Sequence, residues 1–391
     1  MTQPIPGSTA RPTRSVVIDV FLTFLRIGVT AFGGPAAHIA MMRHELVERR
    51  KWIDEQHFLD LLGATNLIPG PNSSEMAMHI GFVRAGVWGL LAGGIAFVAP
   101  AMLIVLALAW MYVEYGTTPA AEWLMYGIKP VIIPLVLVAL WSLGQKAVKG
   151  RLTAVIGITV LLLYFARINF VLLLIGGGMA VMLAQNAARL RGRLLLPLPL
   201  LGSGLAIPAA SVTAPAAGYS LLKLALIFLK IGALLYGSGY VLFAFMHADL
   251  VENNHWLTEQ QLVDAIAIGQ MTPGPLSTSA TFVGYLLDGV PGALIATVAI
   301  YLPAFVIVAI SNPLIPRIRR SVWAGSFLDG VNVAALGLMA AVTWELARAA
   351  FPDLYTLAVG AAAAVLVVFF RPSSVWIVLF GGAMGLLSAA V

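Results

Sequence analysis

Two apolar stretches of this chain are broken in the same way: "NLIPGPNSS" (66–74) and "QMTPGPLSTS" (270–279). Proline lacks an N–H and clashes with the preceding turn, so Pro-Gly-Pro stops a helix and frees backbone carbonyls and N–H groups. At membrane depth each freed group costs several kcal/mol unless protein or a water-filled cavity satisfies it. The fold must therefore bury two backbone breaks or line a cavity with them. Composition says that the surroundings are a membrane. Of 391 residues, 60% are hydrophobic and only 10% charged, with mean hydropathy +0.94. A soluble domain cannot hide that much apolar surface. The N-terminal "MTQPIPGSTARPTRS" is polar and does not read as a cleavable signal, so the first apolar segment is expected to stay in the mature protein. With no cysteine, disulfides, thiolate metal sites and cysteine redox chemistry are excluded. The net charge of +6 sits mostly in short loops, which reads as a topology signal and not as a nucleic-acid surface.

A membrane span needs about 20 apolar residues. Candidates are 16–34, 87–112, 121–143, 152–166 and 169–186, then 220–238, 290–311, 325–347, 353–370 and 373–390. Two weaker segments, 56–83 and 259–287, carry the breaks near their centres, and a re-entrant helical hairpin is the natural reading of each. The two sets match. At an offset of 204, Trp52 pairs with Trp256, Asp60 with Asp264, and Pro69-Gly70-Pro71 with Pro273-Gly274-Pro275. Beyond one gap the offset is 203, pairing Gly89 with Gly292 and Gly127 with Gly330. The chain thus reads as an N-terminal repeat (1–188), a Pro/Ala/Ser-rich linker (189–215) and a C-terminal repeat (216–391).

Equivalent loops carry opposite charge. "RHELVERRK" (43–51) is basic where "DLVENNH" (249–255) is acidic; "VEYGTTPAAE" (113–122) is acidic where "RIRR" (317–320) is basic. The positive-inside rule then predicts inverted repeats, with Arg43–Lys51 in the cytoplasm. The expected fold is an all-α polytopic membrane protein of two inverted-topology repeats, with about five spans and one broken re-entrant hairpin per half. Arg11 and Arg14 resist this count: they favour an N-terminus inside, whereas five crossings put it outside.

Inverted repeats with interrupted helices are an architecture of secondary transporters. A helix restarting near Asn72 or Leu276 would aim free N–H groups and a positive dipole end at the cavity, which makes an anion site. Candidate ligands around the breaks are Asn66, Pro69, Gly70, Pro71, Asn72, Ser73 and Ser74, and in the second half Gln270, Thr272, Pro273, Gly274, Pro275, Ser277, Thr278 and Ser279. The alternative is a pair of packing kinks. Arg26 and its counterpart Lys230 lie inside the first apolar segment of each half, where a cation is costly, so both are expected to hold the anion; otherwise Arg26 pairs with Asp19 or snorkels. "FGGP" (32–35), with Gly33 and Gly34, and "YGSG" (236–239), with Gly237, would unwind the first helices near the same cavity. Asp60, Asp264, Glu75 and His38 are candidate proton carriers, with helix-terminal charge as the plainer role for the two aspartates. Two histidines, His38 and His44, without a third ligand make no metal site. No Gly-x4-Gly-Lys-Ser/Thr loop and no Ser, His and acid arrangement appear, so neither an enzyme nor a cofactor is expected.

"FGGPAAHIAMMRHELVERRKW" followed by "LIPGPNSSEMAMHIGFVRAG" resembles the signature of the chromate ion transporter family, and "YGSGYVLFAFMHADLVENNHW" with "MTPGPLSTSATFVGYLLDG" resembles its second-domain form. The resemblance covers nearly the whole chain. It implies a long-chain, two-domain exporter of chromate, a sulfate-like tetrahedral dianion, in a prokaryotic inner membrane, with the proton gradient as the energy source. Short-chain relatives of opposite topology agree with the inversion. On the family's motif fall Phe32, Gly33, Gly34, Pro35, His38, Trp52, Pro69, Gly70 and Pro71; Ser238 and Gly239 depart from it, so the halves should not contribute identical ligands. The implied partners are the oxyanion, protons and the bilayer. An anion channel or a carrier of another oxyanion on the same scaffold is the rival reading, and the oligomeric state stays open, a homodimer among the options.

Overall fold

The computed structural model describes residues 14–32, 34–65, 68–191, 219–236, 239–311 and 322–389. Gly33, Asn66, Gly237, the "RIRR" loop and nearly all of the linker lie outside the described residues.

Each half opens with two hairpins. Helix α1 (Arg14–Thr30) stops at the Phe-Gly-Gly-Pro break; α2 (Gly34–Arg43) and a π-helical turn (His44–Arg49) return the chain. Arg50 then reaches Asp19 at 2.7 Å, and the Trp52 ring meets Phe24. The first apolar segment, expected to cross, is therefore one arm of a hairpin, and Gly34 (φ 78°) takes a left-handed conformation at the start of the returning arm. This places Arg14 on the same face as the basic stretch 43–51 and removes the conflict over the N-terminus.

The second hairpin is the expected one. Helix α3 (Glu55–Thr65) rises to the Pro-Gly-Pro break and α4 (Asn72–Tyr115) begins beyond it. Eleven residues rise about 16 Å, roughly half the hydrocarbon core. Within α4 the helix reverses at Ala85 (φ −144°) and Gly86 (φ 60°, ψ −146°), a conformation open essentially to glycine. The arm before this turn packs on the span after it so closely that a Cβ on Gly81 would lie 2.2 Å from the Gly89 carbonyl oxygen. Helices α5 (Pro119–Ala147), α6 (Arg151–Phe165) and α7 (Phe170–Arg191) complete the half.

The second half repeats this order. Its elements are α8 (Leu221–Leu234), α9 (Val241–Met246) with a π-helical turn (His247–Asn253), α10 (Glu259–Met271), and a 3-10 turn (Leu276–Thr278) leading into α11 (Ser279–Ser311). Then follow α12 (Val322–Ala350), α13 (Leu354–Val365) and α14 (Ser374–Ser388). The α11 reversal falls at Asp288 and Gly289 (φ 55°, ψ −144°), which matches Ala85 and Gly86 residue for residue. Among the described residues five helices are long and apolar enough to cross a membrane, and α6, α13 and α14 are shorter apolar helices.

Contacts between the halves show that they are inverted. Lys149, just past the end of α5, pairs with Asp329 near the start of α12. Tyr126, near the start of α5, donates to Asp353, past the end of α12, at 2.7 Å. These helices are equivalent under the repeat, so equivalent ends lie on opposite faces. We call the face holding Arg50 and Lys149 the near face, and the other the far face.

Glycine pairs seal the halves together. Helix α5 crosses α14 where a Cβ on Gly127 would lie 2.1 Å from the Gly381 carbonyl oxygen. Helix α12 crosses α7 at the equivalent place, with Gly330 against the Gly177 carbonyl at 2.4 Å. With no hydrophobic drive between helices in lipid, such close approach is the main source of association. Gly127→Val puts branched bulk against backbone and should cost at least about 1–3 kcal/mol; the check is the fraction of monodisperse protein after graded heating in detergent, and an unchanged profile would contradict this packing.

Candidate functional site

The two hairpin tips meet in the interior, and each is held by the other half. The Gly70 N–H donates to the Leu235 carbonyl at the end of α8, at 2.6 Å. The Gly274 N–H donates to the Ala31 carbonyl at the end of α1, at 2.8 Å. Both partners shift by the same 204 residues, so this is one interaction made twice about a pseudo-two-fold axis. The backbone groups freed by Pro-Gly-Pro are thus partly satisfied by protein. The Ala31 carbonyl also accepts from buried His38 Nε2 at 3.1 Å, and the His38 ring stands edge-on to Phe97. In the second half the arms close on each other: a Cβ on Gly269 would lie 2.2 Å from Ser279 Oγ, which a straight broken helix would not allow.

Polar side chains gather just behind the tips. Ser73, Ser74, Glu75 and His79 on α4 are buried, as are Gln270, Thr272, Ser277, Thr278 and Ser279 across the second break. Ser277 and Tyr301 share a hydrogen bond of 2.6 Å, and Thr281 and Thr297 share another of 2.7 Å. No side chain caps the start of α4 or of the turn at Leu276, since proline occupies both cap positions. Two positive helix ends therefore point inward without a side-chain cap.

Glu75 stands out in this group. It is wholly buried, and among the described residues neither carboxyl oxygen has a hydrogen-bond partner. Its side chain curls back over the break, with Oε1 2.2 Å from where a Cβ on Gly70 would be. The Ser279 hydroxyl is likewise buried and unpartnered among the described residues, while the Ser74 hydroxyl lies against that of Tyr301. An ionised carboxylate in such surroundings is very costly, and a neutral one far less so. The arrangement suits a group that exchanges a proton, beside hydroxyls and helix ends that suit an anion.

The predicted cations go elsewhere. Arg26 is exposed on α1, on the side that carries Leu22 and Val29, and makes no ion pair among the described residues. Asp19, one possible partner, is taken by Arg50. Lys230 pairs with buried Asp249 and lies over the Phe170 ring. The two aspartates also differ. Asp60 is half-buried and accepts from Gln56 at 3.3 Å. Asp264 is buried at the floor of a far-face cavity of about 300 Å³, bound to the Tyr112 hydroxyl at 2.7 Å and to Lys129 Nζ at 3.2 Å. Lys129 was not singled out from the sequence, though a lone lysine in the apolar run "MYGIKPVIIP" (125–134) was the available signal. Lys129→Met strands the Asp264 carboxylate and should cost about 3–5 kcal/mol, with Asp264→Asn in the same chain recovering most of it; thermal unfolding of the single and double variants decides.

Inverted halves whose broken hairpins cross at mid-depth define a membrane transporter. The chromate transporter family model matches residues 18–182 and again 222–386. The chain belongs to that family, one copy of the domain in each half. Among its relatives are a chromate transport protein of Cupriavidus metallidurans, 29% identical over 97% of this chain and 94% of that one, and one of Pseudomonas aeruginosa, 31% identical over 92% and 86%. A probable chromate transport protein of Synechococcus elongatus is 31% identical over 86% of each chain. No solved structure matches.

Proposed function

We propose that this chain moves chromate, or a closely similar tetrahedral dianion, out of a prokaryotic cell across the inner membrane by alternating access. In this reading the near face, which is basic, is cytoplasmic. The single observation that carries the proposal is Glu75: a carboxyl without a partner among the described residues, buried at a helix start with no side-chain cap, between two tips that each grip the opposite half. The dianion lies where the starts of α4 and of the 3-10 turn converge, held by N–H groups and by Ser74, Ser277 and Ser279. Glu75 is a tethered competitor for that place. Ionised, it repels the substrate; protonated, it admits the substrate and can donate to it. Substrate and proton are coupled at one spot, and Asp264 with Lys129 forms the polar floor of the far-face approach.

Because the proton binds with the dianion, the two leave together as one net negative charge, so the membrane potential drives export and the pH gradient opposes it. Moving that charge outward, down an inside-negative potential of about 100 mV, gains about 2.3 kcal/mol. Rocking of the halves needs the tip contacts to exchange, and the two Gly N–H bonds are the elements that must break on alternate sides.

Accumulation of chromate in everted vesicles held at an interior-positive potential, with internal pH followed by a dye, tests this. Uptake that carries about one proton inward with each chromate is expected. Uptake or current without proton movement would favour a channel instead.

A further inference from the structure

We infer that His247 is a proton-binding site that closes the far face of the molecule. The repeat supplies the comparison. On the near face Arg43, at the end of the first hairpin, binds Glu55 at the start of the second (2.8 Å) and Glu48 (2.6 Å). At the same offset of 204, the far face has His247, Glu259 and Glu252. The same clamp joins the same two hairpins, but a permanent cation is replaced by one that exists only when protonated.

The hydrogen bonds require that charge. His247 Nε2 faces two carboxylates, Glu259 at 2.7 Å and Glu345 at 3.1 Å, and these can only accept. Nδ1 faces the Tyr164 hydroxyl at 3.1 Å, and the one hydrogen of that hydroxyl is given to Glu345 at 2.8 Å. With Glu259 and Glu345 ionised, both ring nitrogens then donate, and only the imidazolium does so. The side chain is 1% exposed. Three elements around it bring a carboxyl each: Glu259 from α10, Glu345 from α12 and Glu252 from its own turn. Tyr164 comes from α6, and Arg167 beyond it is occupied by Glu252.

Loss of the proton removes one N–H donor and leaves three carboxylates around a neutral ring. The clamp between the α9 hairpin, α10, α12 and α6 then has no cation at its centre, and the far-face end of the second hairpin is released. The near-face clamp keeps a permanent cation, since Arg43 holds Glu55 and Glu48 whether or not His44, which also meets Glu48 at 2.7 Å, is protonated. The consequence for coupling rests on the transport reading above: pH at the far face alone would set how readily that side opens. The proton site itself does not depend on it.

The test uses the absence of cysteine in the chain. Leu257→Cys, buried in the loop between the turn and α10, is labelled by a maleimide in purified protein with chelator present, with no substrate and no gradient. Its labelling, corrected for thiolate fraction on an unfolded control, should rise at least about fivefold from about pH 5.5 to about pH 8.5, the range that titrates an ordinary imidazole. His247→Gln should label fast throughout. Tyr164→Phe, which removes one acceptor, should move the midpoint to lower pH. Nitrogen NMR of the six-histidine protein reads the charge of the ring directly, even if a variant folds poorly. A corrected labelling rate flat with pH in the parent, a His247→Gln profile matching it, or a neutral ring at the acid end would each overturn the assignment. Normal labelling behaviour in a protein that transports nothing would overturn the transport reading and leave this one standing.

Discussion

Glu75→Gln is expected to abolish the pH dependence of oxyanion binding while leaving binding itself in place. Among the described residues Glu75 is a carboxyl at the tips that is buried without a hydrogen-bond partner, and in the proposed function its charge changes when a dianion enters. In the parent, binding measured above the pH at which chromate is fully dianionic should weaken about tenfold per unit once the carboxyl ionises, because one proton is then linked to each binding event. The amide cannot ionise, so its affinity should stay flat and exceed that of the parent at least about tenfold at the alkaline end. Transport should suffer more than binding, since the coupling proton is lost. A Glu75→Gln profile that overlays the parent would show that the linked proton sits elsewhere, with Asp264 the next group to change.

Gly274→Ala is expected to loosen the whole molecule. Gly274 has φ +91°, and a Cβ there would lie 2.8 Å from the Ala101 side chain. Left-handed backbone costs a non-glycine residue about 1–2 kcal/mol, and forcing a methyl into a packed site about 1–3 kcal/mol. The hydrogen bond to Ala31 would weaken as the tip shifts, and it is one of two backbone bonds between tip and opposite half among the described residues. A total of about 2–5 kcal/mol is a large part of the stability of an ordinary domain. Ala101→Gly in the same chain relieves the clash but not the backbone strain and should recover part of the loss. Unfolding in a graded detergent series reads both; Gly274→Ala as stable as the parent would mean that the tip is not gripped as described.

Much of this was legible in the sequence because it is local or repeated. The Pro-Gly-Pro breaks, the 204-residue offset and the opposite loop charges need no knowledge of distant contacts, and they lead to paired hairpins and inverted halves. Phe-Gly-Gly-Pro was visible as a helix end. That it turns α1 into a hairpin arm was not, since a segment of 17 residues is near the length of a short span. The carbonyls of Ala31 and Leu235 carry no signature at all, because any residue supplies a carbonyl. Cation partners were the least legible part. Lys230 finds Asp249 on the returning arm of its own hairpin, Lys129 finds Asp264 from the other half, and His247 draws on residues from 164 to 345. Spacing along a chain records none of these encounters, whereas an intramembrane cation sets the expectation of a ligand wherever it occurs.

The location of the anion is the claim on which the rest turns, and equilibrium dialysis of chromate against the purified protein addresses it most directly. The parent should bind saturably, one ion per chain. Ser277→Asp, which sets a carboxylate between the tips, should weaken binding at least about a hundredfold, or about 2.7 kcal/mol, while Arg26→Gln should match the parent. No saturable binding, or binding that survives Ser277→Asp and is lost with Arg26→Gln, would contradict a site built at the crossing of the hairpin tips.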